Sequence, residues 1–218
     1  LEKGKLIMRL SFKLLDSSKD IQQKILSAIL PEITSLMNKA TLKLKQNLPD
    51  IIRNAIINTP EYESLSIGKL KYEFGIANVD SKLSSLLNVW STNISYQYQA
   101  PIVTGSRIKS SFSASMIKAD FSDVLYADFA AVVDTVRGYT LPWLEWLLLE
   151  GNKTIVKNYE VVFGANKFSR TGFAVMQPSR RSWRVPPEFS GTSRDNWITR
   201  AIDNAEPIIQ KLLDEAFL

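Results

Sequence analysis

One apolar stripe running through residues 17–58 limits the folds open to this chain more than any other feature. From Ile21 through Ile25, Ile29, Ile33, Leu36, Ala40, Leu44, Leu48 and Ile51 to Ile52, apolar side chains return every three or four positions. That period lays side chains along one face of an α-helix. A helix with such a stripe needs other elements to cover it. Ser17, Ser18 and Asp20 offer an N-cap. Pro31 and Pro49 each remove a backbone donor, which predicts two or three helical segments along roughly one axis. Lys39, Lys43, Lys45 and Arg53 fall on the opposite face and read as solvated.

The segments that follow must supply the cover. After a small polar connection around Pro60, Leu70, Tyr72, Phe74 and Ile76 alternate with Lys69, Lys71, Glu73 and Gly75, the period of a strand with one wet face. Asp80 or Ser81 can cap a short helix that places Leu83, Leu86, Leu87 and Trp90 together. Ile94, Tyr96 and Tyr98 alternate as a second strand. Beyond Val103 a serine-lined strand or ribbon carries Phe112, Ala114, Met116 and Lys118 on one side, with Ile117 among the serines on the other. Residues 126–135 and 154–163 read as two further strands bounded by glycines. Between them, residues 141–150 are apolar on nearly all sides, with Pro142 near the start and Gly151 at the stop, which predicts a buried helix. The place of that helix, in the subunit core or against a neighbour, stays open at this level. Residues 195–218 form a closing amphipathic helix through Trp197, Ala201, Ala205, Ile209 and Phe217, with Pro207 as a bend. The expected fold is α+β in one domain over residues 1–218. A long N-terminal helical region and a C-terminal helix pack on an antiparallel, partly barrel-like sheet over 94–190, with 65–93 as an insertion.

The chain has 218 residues with 45% hydrophobic and 22% charged content, an ordinary globular balance. No apolar run reaches the roughly 18–20 residues that span a bilayer, so no membrane partner is expected. The opening 15 residues are basic, with a short apolar run and no small-residue cleavage site, a poor match to a signal peptide. Cysteine and histidine are both absent. That removes disulfides, thiolate nucleophiles, the usual zinc sites and every triad built on imidazole. No phosphate-loop, dinucleotide or calcium-loop motif stands in their place. We therefore expect a non-enzyme with no catalytic residues, cofactor or metal. A hydrolase using Asp120, Asp123, Asp128 and Asp134 is the weakest reading, because charges at strand edges account for those residues.

Residues 168–200 hold six of the ten arginines and no lysine. The guanidinium fork binds carboxylates and phosphates in pairs, whereas lysine serves equally well for solubility. With Glu188 and Asp195 the block sums to +4, while residues 201–218 carry Asp203, Glu206, Asp214 and Glu215 against Lys211, or −3. Two elements of opposite charge thus adjoin. Trp183 and Trp197 interleave with the arginines, the composition of an interface. Arg180, Arg181, Trp183, Arg184, Arg194 and Trp197 are the candidate contact residues, with Glu206, Asp214 and Glu215 as candidate partners. In a nucleic-acid-binding alternative the same arginines grip phosphates and a tryptophan stacks on bases.

The order of elements resembles the tail-completion or neck proteins of long-tailed bacteriophages. The resemblance is carried by Val103, Thr104, Gly105, Ser106, Arg107, Ile108, Lys109, Ser110 and Ser111 entering the sheet, and by Pro186, Pro187, Glu188 and Phe189 before the closing helix. The chain departs from that pattern in mid-chain, where Trp143 and Trp146 replace a tyrosine-rich stretch, and in the extra 65–93 segment. What the resemblance implies is a homo-oligomeric ring, six- or twelve-fold, at the head-tail junction of a virion, made in the host cytoplasm. Its partners would be neighbouring head-connector and tail proteins, with DNA passing through a lumen. A tail terminator or a head-side adaptor is the alternative position. Ring closure by one repeated contact requires two complementary faces on every subunit.

Overall fold

Ser17 opens the first helix through a capping box: its hydroxyl accepts from the Asp20 N–H and the Asp20 carboxylate accepts from the Ser17 N–H. The computed structural model describes residues 16–116, 120–134 and 138–215. The helix, α1 (Ser18–Ile57), runs unbroken for 40 residues, about 60 Å at 1.5 Å per residue. The expected division at Pro31 and Pro49 does not occur. A proline frees only the carbonyl one turn earlier, and for Pro49 that carbonyl, of Lys45, accepts from the Tyr96 hydroxyl at 3.5 Å. Packing of this half of α1 against the rest of the fold supplies the remaining restraint. Ala40, Leu44, Leu48, Ile52 and Ile56 recur every fourth residue and all are buried.

The two halves of α1 have different surroundings. No residue of 18–39 is buried, and this half projects as an arm accompanied by a β-ribbon. The ribbon pairs β1 (Ser95–Thr104) with β2 (Arg107–Ser115) in antiparallel register, Thr104 opposite Arg107. Its two-residue turn places Gly105 at φ 60°, as a primed hairpin turn requires at its first central position. The register shifts between Gln99 and Ile102, where Pro101 has no N–H to offer the ladder. Gln23 donates to the Gly105 carbonyl and Tyr98 to the Asn38 side chain at 2.8 Å, so the ribbon lies along the arm.

The C-terminal half of α1 begins the core. Thr59 caps α2 (Pro60–Ser66), with Pro60 at the first helical position. Next comes α3 (Lys69–Glu73), where a strand was expected. A turn of helix puts Leu70 and Phe74 on one face, and Gly75 at φ 66° then reverses the chain so that Ile76 also points inward. Alternation over so few residues therefore satisfied either structure, and burial of these three side chains decided it. The helix expected near Asp80 is α4 (Val79–Thr92), which buries Val79, Leu83, Leu86, Leu87 and Trp90.

Residues 126–135 were expected as one strand. They contain instead a 3-10 turn, Asp128–Ala130, and a short β3 (Val132–Asp134), with Thr135 outside the described residues. Lys82 from α4 donates to the carbonyls of Asp128, Phe129 and Ala131 at 3.0, 3.4 and 2.7 Å, which holds this stretch off the extended conformation. Burial, only partly offset by Asp128, lowers the Lys82 pKa from its ordinary value. β3 pairs with β4 (Tyr139–Leu141), and after α5 (Ser122–Leu125) and this ribbon comes α6 (Trp143–Leu148), the expected apolar helix. It lies in the subunit's own core, with Trp143, Leu144, Leu147 and Leu148 fully buried. β5 (Tyr159–Phe163) begins later than residue 154 and pairs with β6 (Ala174–Pro178). α7 (Trp197–Asp214) closes the fold through an Asn196 capping box and packs on α1.

The protein is thus α+β, with a long N-terminal helix, a C-terminal helix and small antiparallel sheets. Among the described residues the strands form three separate two-stranded ribbons, not one sheet, and no barrel closes. One continuous hydrophobic cluster joins α1, α4, α6 and α7 through Leu48, Trp90, Leu144 and Trp197. No helix among the described residues is long and apolar enough to cross a membrane. Lys118, Ile117 and Phe217, assigned above to a strand and to the closing helix, lie outside the described residues, as does the basic opening segment.

Candidate interaction surface and the cavity beside it

The arginine-rich block is divided by the fold into an exposed set and a structural set. The segment after β6 turns at Ser179, whose hydroxyl accepts from the Arg181 N–H. It then meets residue 156 through a backbone bridge at Trp183. A bridge of this kind alternates side-chain directions. Arg180, Arg181 and Arg184 stay in solvent while Trp183 and Val185 turn inward. Arg194 is also exposed. Among the described residues Arg180, Arg184 and Arg194 make no ion pair, and Arg181 reaches Glu160 at 3.4 Å while remaining 83% exposed. Such a pair contributes little to stability and leaves the charge free for a partner.

The two tryptophans are not surface residues, and the expectation that they form an interface is corrected. Trp197 is fully buried, donates its indole N–H to Thr59 Oγ1 at 2.7 Å and stands edge-on to Trp90 with ring centroids 5.9 Å apart. Trp183 is 8% exposed and packs edge-on to Phe74 and Trp146 at 5.8 and 6.1 Å. Large aromatic area is worth most inside a core, and both rings are placed there. Base stacking in the nucleic-acid alternative is lost with them.

Arg200, the sixth arginine, is a structural residue. Its guanidinium donates to Glu61 at 3.2 and 2.7 Å and to Asp195 at 2.7 Å, tying α7 to α2. Glu61 is buried, so Arg200 supplies the charge that its carboxylate needs. The acidic candidates Glu206 and Asp214 are exposed on α7, and Glu215 is exposed at its C-cap. Glu215 pairs with Lys43 at 3.7 Å and Asp214 accepts from Gln210 at 2.8 Å, and none pairs with an arginine of the block. The basic and acidic surfaces are therefore separate within one subunit.

Beneath the Trp183 segment lies a cavity of about 550 Å³ that the sequence did not signal. Trp146, Trp183, Phe74, Tyr139 and Phe168 line it, with the charged side chains of Glu73, Asp134 and Arg170. Arg170 pairs with Asp134 at 3.9 Å. A Cβ on Gly75 would stand 3.0 Å from Arg170 Nη2, and at φ 66° a side chain there is strained in any case, so glycine shapes this wall. Glu73 Oε2 is buried with no hydrogen-bond partner among the described residues. Burial pushes the Glu73 carboxyl up to about 7, opposed by Lys69, reinforced by Glu188 and opposed by the Trp183 indole. The only available signal was Glu73 on the supposed wet face of a strand, and the helical α3 turned it inward.

Asp134 serves Arg170, Asp120 accepts from the Ser122 N–H at 3.1 Å, and no group of three or more histidine, cysteine or acidic residues among the described residues could hold a metal ion.

Fold and surface together define an α+β protein with a helical core, three ribbons, a projecting arm and two oppositely charged faces. Compared with protein-family models, with curated proteins and with solved structures, the chain matches none.

Proposed function

We propose that the protein is a structural subunit of a bacteriophage head-tail junction, a neck or tail-completion protein that acts through protein contacts and not by catalysis. The observation that carries this reading is the arm. No residue of 18–39 is fully buried, and this half of α1 with the β1–β2 ribbon holds Ile25 at 55%, Ile29 at 39% and Ile102 at 61% exposure. Large apolar side chains on a projecting element stabilise nothing in a lone subunit and suit a contact with another chain. A ring closed by a heterologous contact needs two unlike faces, and the exposed arginines and the outer face of α7 are such a pair. Free ribbon edges also leave room for the partly barrel-like sheet to be completed between neighbours.

In this reading the ring belongs to the virion, between head-connector and tail proteins, with DNA passing its lumen. A terminator or adaptor ring would use the same contacts. Phosphate contact by Arg180, Arg184 and Arg194, which no carboxylate neutralises among the described residues, is the one feature that favours the nucleic-acid reading. Light scattering over a series of concentrations and salts, with negative-stain images of large species, tests the assignment. A closed six- or twelve-fold ring is the expected result. A monomer under every condition that binds DNA with steep salt dependence would replace it with the nucleic-acid reading.

A further inference from the structure

The aromatic cavity beside α3 is independent of the ring contacts and has a chemistry of its own. Its volume of about 550 Å³ falls in the range of small-molecule sites, and its walls combine six aromatic side chains with aliphatic ones. Its polar groups are unequally satisfied. Arg170 has Asp134 as a partner at 3.9 Å. Glu73 lines the cavity and makes no ion pair among the described residues, and its Oε2 is buried with no hydrogen-bond partner there, so its carboxylate is the least satisfied group of the wall. The charges around Glu73 point the same way. Lys69 lies on its own helix, Glu188 approaches from the segment before α7, and Asp134 and Arg170 line the same cavity. Among the described residues just named, three carboxylates (Glu73, Asp134 and Glu188) stand against two cations (Lys69 and Arg170), an excess of one negative charge within this set.

We propose that this cavity binds an organic cation of the alkylammonium or guanidinium type, whose N–H groups donate to Glu73 and whose apolar stem lies among Trp146, Trp183 and Phe74. Aromatic rings attract cations through their quadrupole, and the attraction strengthens where water is excluded. A carboxylate next to such rings supplies the counter-charge, and a charged donor makes a stronger hydrogen bond to it than a neutral one. Neither feature favours an anion. An anion would face those carboxylates, and Arg170, the one cation lining the cavity among the described residues, already pairs with Asp134.

The cation can be a free small molecule or the side chain of a lysine or arginine on another protein, and the test separates these sources. Methylguanidinium, n-pentylammonium, its uncharged isostere n-pentanol and a Gly-Arg-Gly peptide are titrated into the full chain, with tryptophan fluorescence and calorimetry as readouts. At about pH 8, where Glu73 is ionised, the two cations bind saturably and n-pentanol binds at least about tenfold more weakly. Affinity for the cations falls at about pH 5.5 because the carboxyl takes up a proton. Glu73→Gln, which keeps the shape of the side chain, weakens cation binding about tenfold and leaves n-pentanol unaffected. A peptide that binds more tightly than methylguanidinium assigns the cation to a partner chain, and one that binds no better assigns it to a free molecule. Equal binding of cations and n-pentanol by the unsubstituted protein, or cation binding indifferent to pH, overturns the proposal without reliance on the variant.

Discussion

At the scale of single residues, the most consequential charges are those the fold withdrew from water. Glu61 is 4% exposed and depends on Arg200, whose side chain is 33% exposed. Arg200→Met leaves that carboxylate buried and unpaired, a loss of about 3–5 kcal/mol for a fully buried pair and about 2–3 kcal/mol here, because Arg200 is partly solvated. Urea denaturation at neutral pH measures it. Lys43→Met, which breaks the solvent-exposed pair with Glu215, costs less than about 1 kcal/mol in the same assay. Glu73 gives the opposite pH behaviour to a salt-bridged carboxylate. Its folded pKa of about 7 lies above the ordinary 4.5, so between those values the folded state holds more protons than the unfolded one. The stability that Glu73 contributes is present below pH 4.5 and is lost as pH rises through 7. Glu73→Gln removes this slope. The difference in stability between parent and variant grows on the order of 1–2 kcal/mol across the window once partial solvation is allowed for, as denaturation at a series of pH values reads out.

Among elements, α6 is the one on which the others converge. The helix is too short to persist alone and forms because Trp143, Leu144, Leu147 and Leu148 are enclosed on every side. Trp143 adds a polar tie, its indole donating to the Phe129 carbonyl at 2.9 Å. Leu144→Ala opens a cavity at this junction and costs about 2–5 kcal/mol, measured as a fall in the denaturation midpoint without a change of slope. Composition and proline placement made α6 legible in the sequence. α3 was not, because the alternation over residues 69–76 fits a strand or a helical turn equally well. The prolines of α1 misled for a related reason. Their local cost is real, yet it is offset where Tyr96 satisfies the carbonyl that Pro49 frees.

For the whole molecule, the division between a buried body and an exposed arm predicts how assembly responds to substitution. Ile25→Ser with Ile29→Ser leaves the unfolding free energy within about 0.5 kcal/mol, since neither side chain enters the core, and shifts the light-scattering mass toward monomer. Arg184→Ala weakens assembly and Lys43→Ala does not, because Lys43 is held by Glu215 within the subunit while Arg184 has no internal partner among the described residues. Trp183→Ala is unsuitable for the same assay. It cuts into the core beside Phe74 and Trp146, and its dominant effect is on folding.

Much of the helical framework was present in the sequence because its determinants are local. The Ser17 cap, the fourfold spacing from Ala40 to Ile56, the apolar face of α4 and the Asn196 start of α7 each act within a few residues of chain. The concentration of arginine was equally visible, as was its opposition to an acidic helix. What only the tertiary structure decided is direction. Whether Trp183, Trp197 and Glu73 face water or protein depends on which distant segments close over them, and no periodicity in their own neighbourhood encodes that. Burial made the two tryptophans core residues in place of contacts. The same packing turned Glu73 from an expected wet face into the wall of a cavity, with its Oε2 buried and without a hydrogen-bond partner among the described residues.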